Sequence, residues 1–201
     1  MQDPSLSIPS LRIALAITGA TGSGFGAAVA RRLAAHARVA QVTLLCSATG
    51  RRCLWDECGL RPDDLLALDP KLRLLDERNL GADLASGSAP LDAMLVLPCS
   101  VGTLGRIASG VSESLVSRAA DVCLKERRTL VLCVRETPLN RIHLENLLRV
   151  HDAGAVVMPL MPSFYHHPQT LDDLFQAFAT RVLDQIGLCE ADPRRWQGRP
   201  Q

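Results

Sequence analysis

The stretch ITGATGSGFGAAVARRL, residues 17–33, decides the fold. A short apolar run, LRIALAI over 11–17, leads into its glycine-rich turn, and an amphipathic segment rich in Ala, Leu and Arg follows the turn. A strand, a glycine turn and a helix in this order are typical of Rossmann-like folds, which place an anionic phosphate at the helix N-terminus. Three interpretations remain open for this stretch: a dinucleotide site, a mononucleotide site, or a tight turn that only allows close helix packing.

The same alternation continues along the chain. Apolar, β-branched runs predict strands at 11–17, 39–46, 92–97, 130–134 and 155–158, and amphipathic patterns predict helices at about 25–36, 100–109, 113–127, 139–151 and 170–187. Alternating elements of this length predict an α/β fold with one doubly wound parallel sheet of the Rossmann/flavodoxin-like kind, with helices on both faces. Between 55 and 90 the pattern is vaguer, with a short helix at PDDLLALDP and a loop at GADLASGSAP.

Composition excludes several classes of partner. The 201 residues carry a net charge of +1 without a basic run, so we expect no nucleic acid or acidic membrane as partner. No apolar stretch approaches the ~20 residues that cross a bilayer, and the N-terminal residues lack the order of a signal peptide. Seven scattered cysteines, an odd number, favour reduced thiols and a cytoplasmic location.

The sequence predicts no metal site. Cys53 and Cys58 form a C-x4-C spacing without a second pair, and zinc sites normally combine two such pairs. His166 and His167 are adjacent in the chain, and adjacent histidines rarely converge on one ion.

Small and hydroxyl residues follow the first, second and third of these strands. In a parallel sheet such loops meet at the carboxyl edge, where ligands bind. The second strand ends at Cys46 and Ser47, without the acidic residue that binds a dinucleotide's ribose, so an NAD-type site is disfavoured and a mononucleotide stays open. In the loop CSVGTLGRIASG, Ser100 and Thr103 offer hydroxyls and Gly102 allows close backbone approach, or the loop is simply a helix cap.

Charged and aromatic residues follow the later strands. Arg135 and Glu136 come directly after an apolar strand, and Thr137-Pro138 predicts a helix cap. The pair is either a local salt bridge or an anion-binding arginine beside a carboxylate that transfers a proton. Tyr165, the only tyrosine, lies in the proline-rich loop MPLMPSFYHHPQT, and Arg181 lies on the last helix.

A charged stripe runs along the predicted helix at 113–127. Arg118, Asp121 and Lys125 share one side of it at i, i+3 and i+7. The stripe is either a solvated face or, if it turns toward the carboxyl edge, part of the site.

Segments over residues 11–188 point to one family. They occur in the order TGATGSGFG, PCSVGTLGRIASG, RAADVCLKERRTLVLCVRETPL, HLENLLRVHDAGAVVMPLMPSFYHHPQTLDDLF and RVLDQIGL. In this they resemble the UbiX-type flavin prenyltransferases, formerly described as aromatic-acid decarboxylases. The resemblance implies a loose lead-in over 1–10, a flavin-binding flavodoxin-like domain over 11–188, and a tail over 189–201 that packs on a neighbouring subunit of a trimer-based oligomer, commonly a dodecamer.

The resemblance also implies a reaction and its residues. Members join a dimethylallyl group from dimethylallyl monophosphate to N5 and C6 of reduced FMN, without a metal, and the prenylated FMN serves a UbiD-type decarboxylase. The residues expected to touch FMN are Gly19, Ala20, Thr21, Ser47, Ser100, Val101, Gly102, Thr103 and Arg118. Those expected to bind the prenyl phosphate are Lys125, Arg135, Tyr165, Arg181 and Trp196, and those expected to act in catalysis are Glu136, Lys125, Arg135 and Glu57.

The chain departs from the family pattern at three places. Thr21 stands where members usually have serine, Phe25 where they have tyrosine, and Ser112-Glu113-Ser114 where they have an Asn-rich step. Two other functions belong to the alternatives: an FMN carrier, and a flavin-dependent cysteine decarboxylase of the related fold. The decarboxylases usually carry an Asn/Met-rich substrate motif, and PSFYHHP stands in its place.

Overall fold

One sheet organises the molecule. The computed structural model describes residues 10–192, 195–196 and 198, so nearly all of the expected lead-in and part of the tail lie outside the described residues. The strands are β1 (Leu11–Ile17), β2 (Val39–Cys46), β3 (Leu72–Leu75), β4 (Ala93–Cys99), β5 (Thr129–Val134) and β6 (Val156–Val157). Every pair is parallel and the order is β3-β2-β1-β4-β5-β6, which confirms the predicted doubly wound sheet.

Helices cover both faces of this sheet. They are α1 (Ser23–Ala35), α2 (Ala48–Cys58), α3 (Pro62–Leu66), α4 (Val101–Ala108), α5 (Leu115–Lys125), α6 (Arg141–Asp152) and α7 (Leu171–Gln185), with a 3-10 turn at Asp83–Ala85. Among the helices in the described part of the chain, none has the length and apolarity that crossing a bilayer requires.

The core has two layers because side chains alternate along each strand. Ile13 and Leu15 of β1 pack with α1 and α7 on one face, whereas Ala14 and Ala16 pack with α4 and α5 on the other. Strands buried on both faces read as nearly continuous apolar runs, which is why the sequence indicated them.

Two elements differ from the sequence-based prediction. β3 and α2 lie in a part of the chain for which the pattern predicted neither a strand nor this helix. β3 is four residues long at the edge of the sheet, and α2 buries only Gly50 and Leu54, so neither carries a strong apolar pattern. The predicted cap at Thr137-Pro138 is wrong, because α6 begins at Arg141 and its cap is Asn140.

The strand order places the site. β1 lies between β2 and β4, and the chain reverses its winding direction at the β1/β4 pair. In such sheets a crevice opens beyond the carboxyl ends of the strands at this point. The loops after β1, β2, β4 and β5 therefore lie at one edge, as the sequence predicted.

Candidate active site

Thr18 joins the first two loops of the carboxyl edge. Its side chain is buried, its hydroxyl donates to the Pro98 carbonyl oxygen at 2.8 Å, and the same hydroxyl accepts from the Ser100 backbone N–H at 2.9 Å. The Thr18 backbone N–H also donates to Pro98, at 3.2 Å. One threonine thus fixes the glycine turn after β1 against the serine loop after β4.

A cavity of about 250 Å³ opens between these loops and α2. The helices α2 and α4 both begin here, with Ser47 accepting from the Gly50 N–H at 2.9 Å and Ser100 accepting from the Thr103 N–H at 3.3 Å. The lining residues are Gly19, Ser47, Ala48, Thr49, Glu77, Ser100, Thr103 and Arg106.

The donors of this cavity fit a phosphorylated flavin. Two helix N-termini, several hydroxyls and the Arg106 guanidinium are the groups that bind phosphate in proteins. Gly102 leaves open space, since a Cβ there would meet no atom within 4 Å, whereas a Cβ on Gly19 would lie 2.6 Å from the Thr49 side chain. The protein's hydroxyl groups and the backbone of the glycine turn line the same cavity. A ligand that carries both a phosphate and hydroxyl groups needs both kinds of partner.

Glu57 lies at the N-terminus of α1. Its carboxylate accepts from the backbone N–H groups of Gly22 at 2.9 Å and Ser23 at 2.8 Å, and α1 has no side-chain cap of its own. Gly22 has φ +99°, a left-handed conformation that glycine adopts without strain. The residues Ala20 and Thr21 form the turn before this cap, with Ala20 buried and Thr21 exposed.

A second cavity, of about 210 Å³, is lined by Arg135 and Glu136 together with Leu160 and Met161. The Arg135 Nε atom is buried and has no hydrogen-bond partner in the described part of the chain. Glu136 accepts from the Thr137 N–H at 3.0 Å and forms no ion pair with Arg135, so the local salt bridge is not formed. An arginine with an unsatisfied N–H beside a half-buried carboxylate can bind an anion and accept a proton.

Glu57 and Arg135 lie near the same thiol. Burial raises the pKa of Cys53, the Glu57 charge raises it further, and the Arg135 charge lowers it. The cap of α1 and the arginine after β5 are therefore both within electrostatic range of Cys53.

A third cavity, of about 260 Å³, adjoins the second through Pro159 and Met161. Tyr165 and Arg181 line it, and Arg181 pairs with Asp184 at 3.1 Å. Trp196 lies edge-on to Tyr165, with ring centroids 5.6 Å apart. The structure thus places Arg135 and Glu136 at one cavity and Tyr165 and Arg181 at another that shares Pro159 and Met161 with it, and Trp196 packs against Tyr165.

Lys125 and Arg118 lie elsewhere. Lys125 is the last residue of α5, close to the start of β5 at the opposite edge of the sheet, and pairs with Glu126. Arg118 pairs with Asp121 at 2.6 Å and donates to the Ala85 carbonyl oxygen at 3.0 Å. Within one chain, neither residue lines the cavities described above.

The tail is attached to its own chain. Asp192 is buried and accepts from Thr180 of α7, while Glu190 pairs with Arg32 of α1. Arg195 donates to both carboxylate oxygens of Asp184, at 2.6 and 2.8 Å. These contacts keep Trp196 beside Tyr165; packing on a neighbouring subunit stays a prediction.

Three further residues belong to the candidate site and were not predicted from the sequence: Thr18, Arg106 and Glu77. Arg106 could have been predicted, because it lies three residues after Thr103 on a helix and therefore on the same side as that hydroxyl. Glu77 follows β3, and recognising that strand would have placed Glu77 at the carboxyl edge.

The buried cysteines are not nucleophiles. Burial raises the pKa of Cys46, Cys99 and Cys123 to about 12, so each thiol stays protonated near neutral pH. In the part of the chain that the structure describes, no group of His, Cys, Asp and Glu side chains is arranged to hold a metal ion.

The chain is similar to known proteins over most of its length. The model of the flavoprotein family matches residues 1–181. The flavin prenyltransferase UbiX of Methanothermobacter thermautotrophicus is 41% identical over 187 residues, which cover 93% of this chain and 96% of that protein.

Two solved structures are similar over nearly the whole chain. The crystal structure of AnUbiX (PadA1) in complex with FMN and dimethylallyl pyrophosphate has a TM-score of 0.84 at 39% identity, and covers 95% of this chain and 100% of that one. A dodecameric FMN-dependent Ubix-like decarboxylase from Escherichia coli O157:H7 has a TM-score of 0.87 at 40% identity, and covers 94% and 100%.

Proposed function

The chain belongs to the flavoprotein family, among the UbiX-type flavin prenyltransferases, and we propose that it makes prenylated FMN at the carboxyl edge of its sheet. It transfers a dimethylallyl group from dimethylallyl monophosphate to reduced FMN, which supplies the accepting N5 and C6 atoms when bound. The observation that carries the proposal is the unsatisfied Arg135 beside Glu136, in a cavity that adjoins the one lined by Tyr165 and Arg181.

The flavin is bound between the loops after β1, β2 and β4. The hydroxyl groups of Ser47, Ser100 and Thr103 donate hydrogen bonds to the flavin, and the N-termini of α2 and α4 attract its phosphate. Gly19, Ala20, Thr21, Val101 and Gly102 supply the backbone that lies against the flavin.

The prenyl phosphate binds at the other two cavities. Arg135 and Arg181 stabilise the charge that develops on the departing phosphate, and Tyr165 donates a hydrogen bond to it. Leu160 and Met161 provide an apolar wall for the allyl group. Holding donor and acceptor side by side lowers the entropic cost of forming the first bond.

Glu136 accepts the proton that leaves C6 when the ring closes. Its carboxylate is half-buried in the cavity wall and bonded only to the adjacent Thr137 N–H in the described part of the chain, so one oxygen remains available. Glu57, whose Oε2 atom caps α1, is the second carboxylate that we propose to act in catalysis, and its charge and that of Arg135 both act on the Cys53 thiol.

A second copy of the chain completes the site. Lys125 and Arg118 lie away from the cavities of their own chain, and a relative of 40% identity is dodecameric. A homo-oligomer built from trimers would bring these cations to a neighbour's flavin and donor phosphate, and its contacts would cover Ile142, Leu144 and Leu148 of α6, which are 54–65% exposed.

We infer the product's recipient from the family to which the chain belongs, and its cytoplasmic location from the cysteines. Prenylated FMN is a cofactor for a UbiD-type decarboxylase, so the product must leave this protein. All seven cysteines are free thiols, which fits a reducing cytoplasm.

The first test is anaerobic incubation with reduced FMN and dimethylallyl monophosphate, followed by the mass of the flavin. A gain of one dimethylallyl unit is expected, and a parallel reaction with the diphosphate measures donor preference. An unchanged flavin in a protein that binds FMN would contradict the transferase and favour a carrier. In Glu136→Gln, FMN should still bind while the ring-closing step stops; full activity in that variant would remove the role assigned to Glu136.

Mixed oligomers test the shared site. Lys125→Ala and Arg135→Ala should each be inactive alone. After the two are unfolded and refolded together, some sites combine a native Lys125 with a native Arg135 and activity should partly return. Activity that stays absent in verified mixed oligomers would place both residues in the same subunit's site.

A further inference from the structure

Glu77 occupies the place where the flavin phosphate is expected. The Ala48 N–H, the first of α2, donates to Glu77 Oε1 at 2.8 Å. Glu77 also lines the 250 Å³ cavity, together with Arg106, Ser100 and Thr103. A carboxylate from the chain therefore uses a donor that a bound phosphate would also use.

Two anions cannot share this donor at low cost. Like charges a few ångströms apart repel, and the positive end of α2 stabilises one of them best. A phosphate that enters the cavity must displace the Glu77 carboxylate from Ala48, or remain farther from the helix than its charge favours.

The displaced carboxylate has a second position. Glu77 also lines an adjacent cavity of about 460 Å³ that contains Arg51 and Arg78. Arg78 already pairs with Asp76 at 3.0 Å, whereas Arg51 forms no ion pair in the described residues. The backbone of Glu77 is held by its carbonyl oxygen, which accepts from the Leu115 N–H at 2.6 Å. Because Glu77 and Arg51 line the same cavity, the exchange requires only that the Glu77 side chain turn away from Ala48 into that cavity.

We propose that Glu77 is an exchangeable cap of α2 that promotes release of the flavin product. When FMN binds, the hydrogen bond between the Ala48 N–H and Glu77 breaks, the N–H donates to the phosphate, and the Glu77 carboxylate turns to Arg51. When the phosphate moves away, the hydrogen bond from Ala48 to Glu77 forms again. This rests on the proposed function, in which the product keeps the phosphate of FMN and has to leave. A tethered carboxylate at high local concentration competes with that phosphate and shortens its residence.

Binding measurements without any prenyl donor test the exchange. Flavin dissociation constants and dissociation rates are measured by fluorescence for FMN and for riboflavin, which lacks the phosphate. In Glu77→Gln the affinity for FMN should rise about three- to tenfold, mainly through slower dissociation, because the competing charge is gone. Riboflavin binding should change less than about twofold.

Matched variants separate the cause. Asp83→Asn removes one carboxylate that pairs with Arg73 and lines none of these cavities, and it should leave both affinities unchanged. Arg51→Gln should weaken FMN in the native background and have little effect in Glu77→Gln, because the displaced carboxylate then needs no partner.

Two results would overturn the proposal. If Glu77→Gln weakens FMN and riboflavin equally, Glu77 binds flavin hydroxyls instead of competing with the phosphate. If it leaves the FMN dissociation rate unchanged, the carboxylate is only a structural cap. Both binding measurements are made without a prenyl donor, so they are independent of prenyl transfer. A failure of the proposed transferase activity would appear instead as an unchanged flavin mass.

Discussion

Replacement of Thr18 by valine removes the hydroxyl that joins β1 to β4 while nearly preserving the shape of the side chain. The Ser100 N–H then loses its acceptor, and because this donor is only partly buried the loss costs about 1–2 kcal/mol. Pro98 loses one of two donors and keeps the Thr18 N–H, so that side costs about 0.5–1 kcal/mol more. The expected loss in the free energy of unfolding is therefore about 1.5–3 kcal/mol.

Urea unfolding, followed by circular dichroism at matched protein concentration and without flavin, measures this loss. Thr18→Ser is the control, because it keeps the hydroxyl and loses only a buried methyl group, for about 1 kcal/mol. FMN affinity should fall with Thr18→Val as well, since the loops after β1 and β4 both line the cavity that we propose for the flavin. The reasoning is refuted if Thr18→Val costs less than about 0.5 kcal/mol, or less than Thr18→Ser.

Gly50→Ala should lower the urea midpoint sharply, because the added Cβ would overlap the backbone at the end of β1. In Gly102→Ala the Cβ meets open space, so this variant should be neutral or stabilised by up to about 1 kcal/mol. Equal urea midpoints for the two variants would contradict the packing at Gly50. The Arg195 guanidinium lowers the pKa of Asp184, so the stability from this pair is present above the ordinary carboxyl pKa and is lost as the pH falls through the lowered one. Asp184→Asn should thus have a lower free energy of unfolding than the native protein at pH 7, and this difference should disappear in acid. A difference that does not change with pH would argue against the Arg195–Asp184 pair. Burial raises the pKa of Cys99 to about 12, so iodoacetamide at pH 8 should label it only in urea, as peptide mass mapping would show; rapid labelling of the folded protein would mean the thiol is accessible.

The sequence determined the architecture because each central strand carries its own signal. β1 and β2 have the predicted bounds, 11–17 and 39–46, since strands buried on both faces are apolar throughout. The glycine turn after β1 and the serine loop after β4 could be placed at one edge from the parallel arrangement alone. The family followed from motifs that lie in these same loops.

Weakly patterned elements escaped the prediction for physical reasons. β3, with the sequence LRLL, lacks β-branched residues and pairs only with β2, so tertiary pairing makes it a strand. α2 contains Gly50 and presents most of its residues to solvent, which leaves no apolar stripe. Thr137-Pro138 looked like a cap, yet the side chain that accepts the helix's N–H is that of Asn140.

The sequence by itself thus determined the parallel sheet, the carboxyl-edge loops and the chemical types of the site residues. Only the tertiary structure decided which carboxylates meet which helix ends: Glu57 caps α1 across 35 residues of sequence, and Glu77 caps α2 across 29. It also separated Lys125 from Arg135, which are ten residues apart but lie toward opposite ends of β5. The reason is that the free N–H groups at a helix N-terminus donate to any nearby anion, so packing and not local sequence selects the partner.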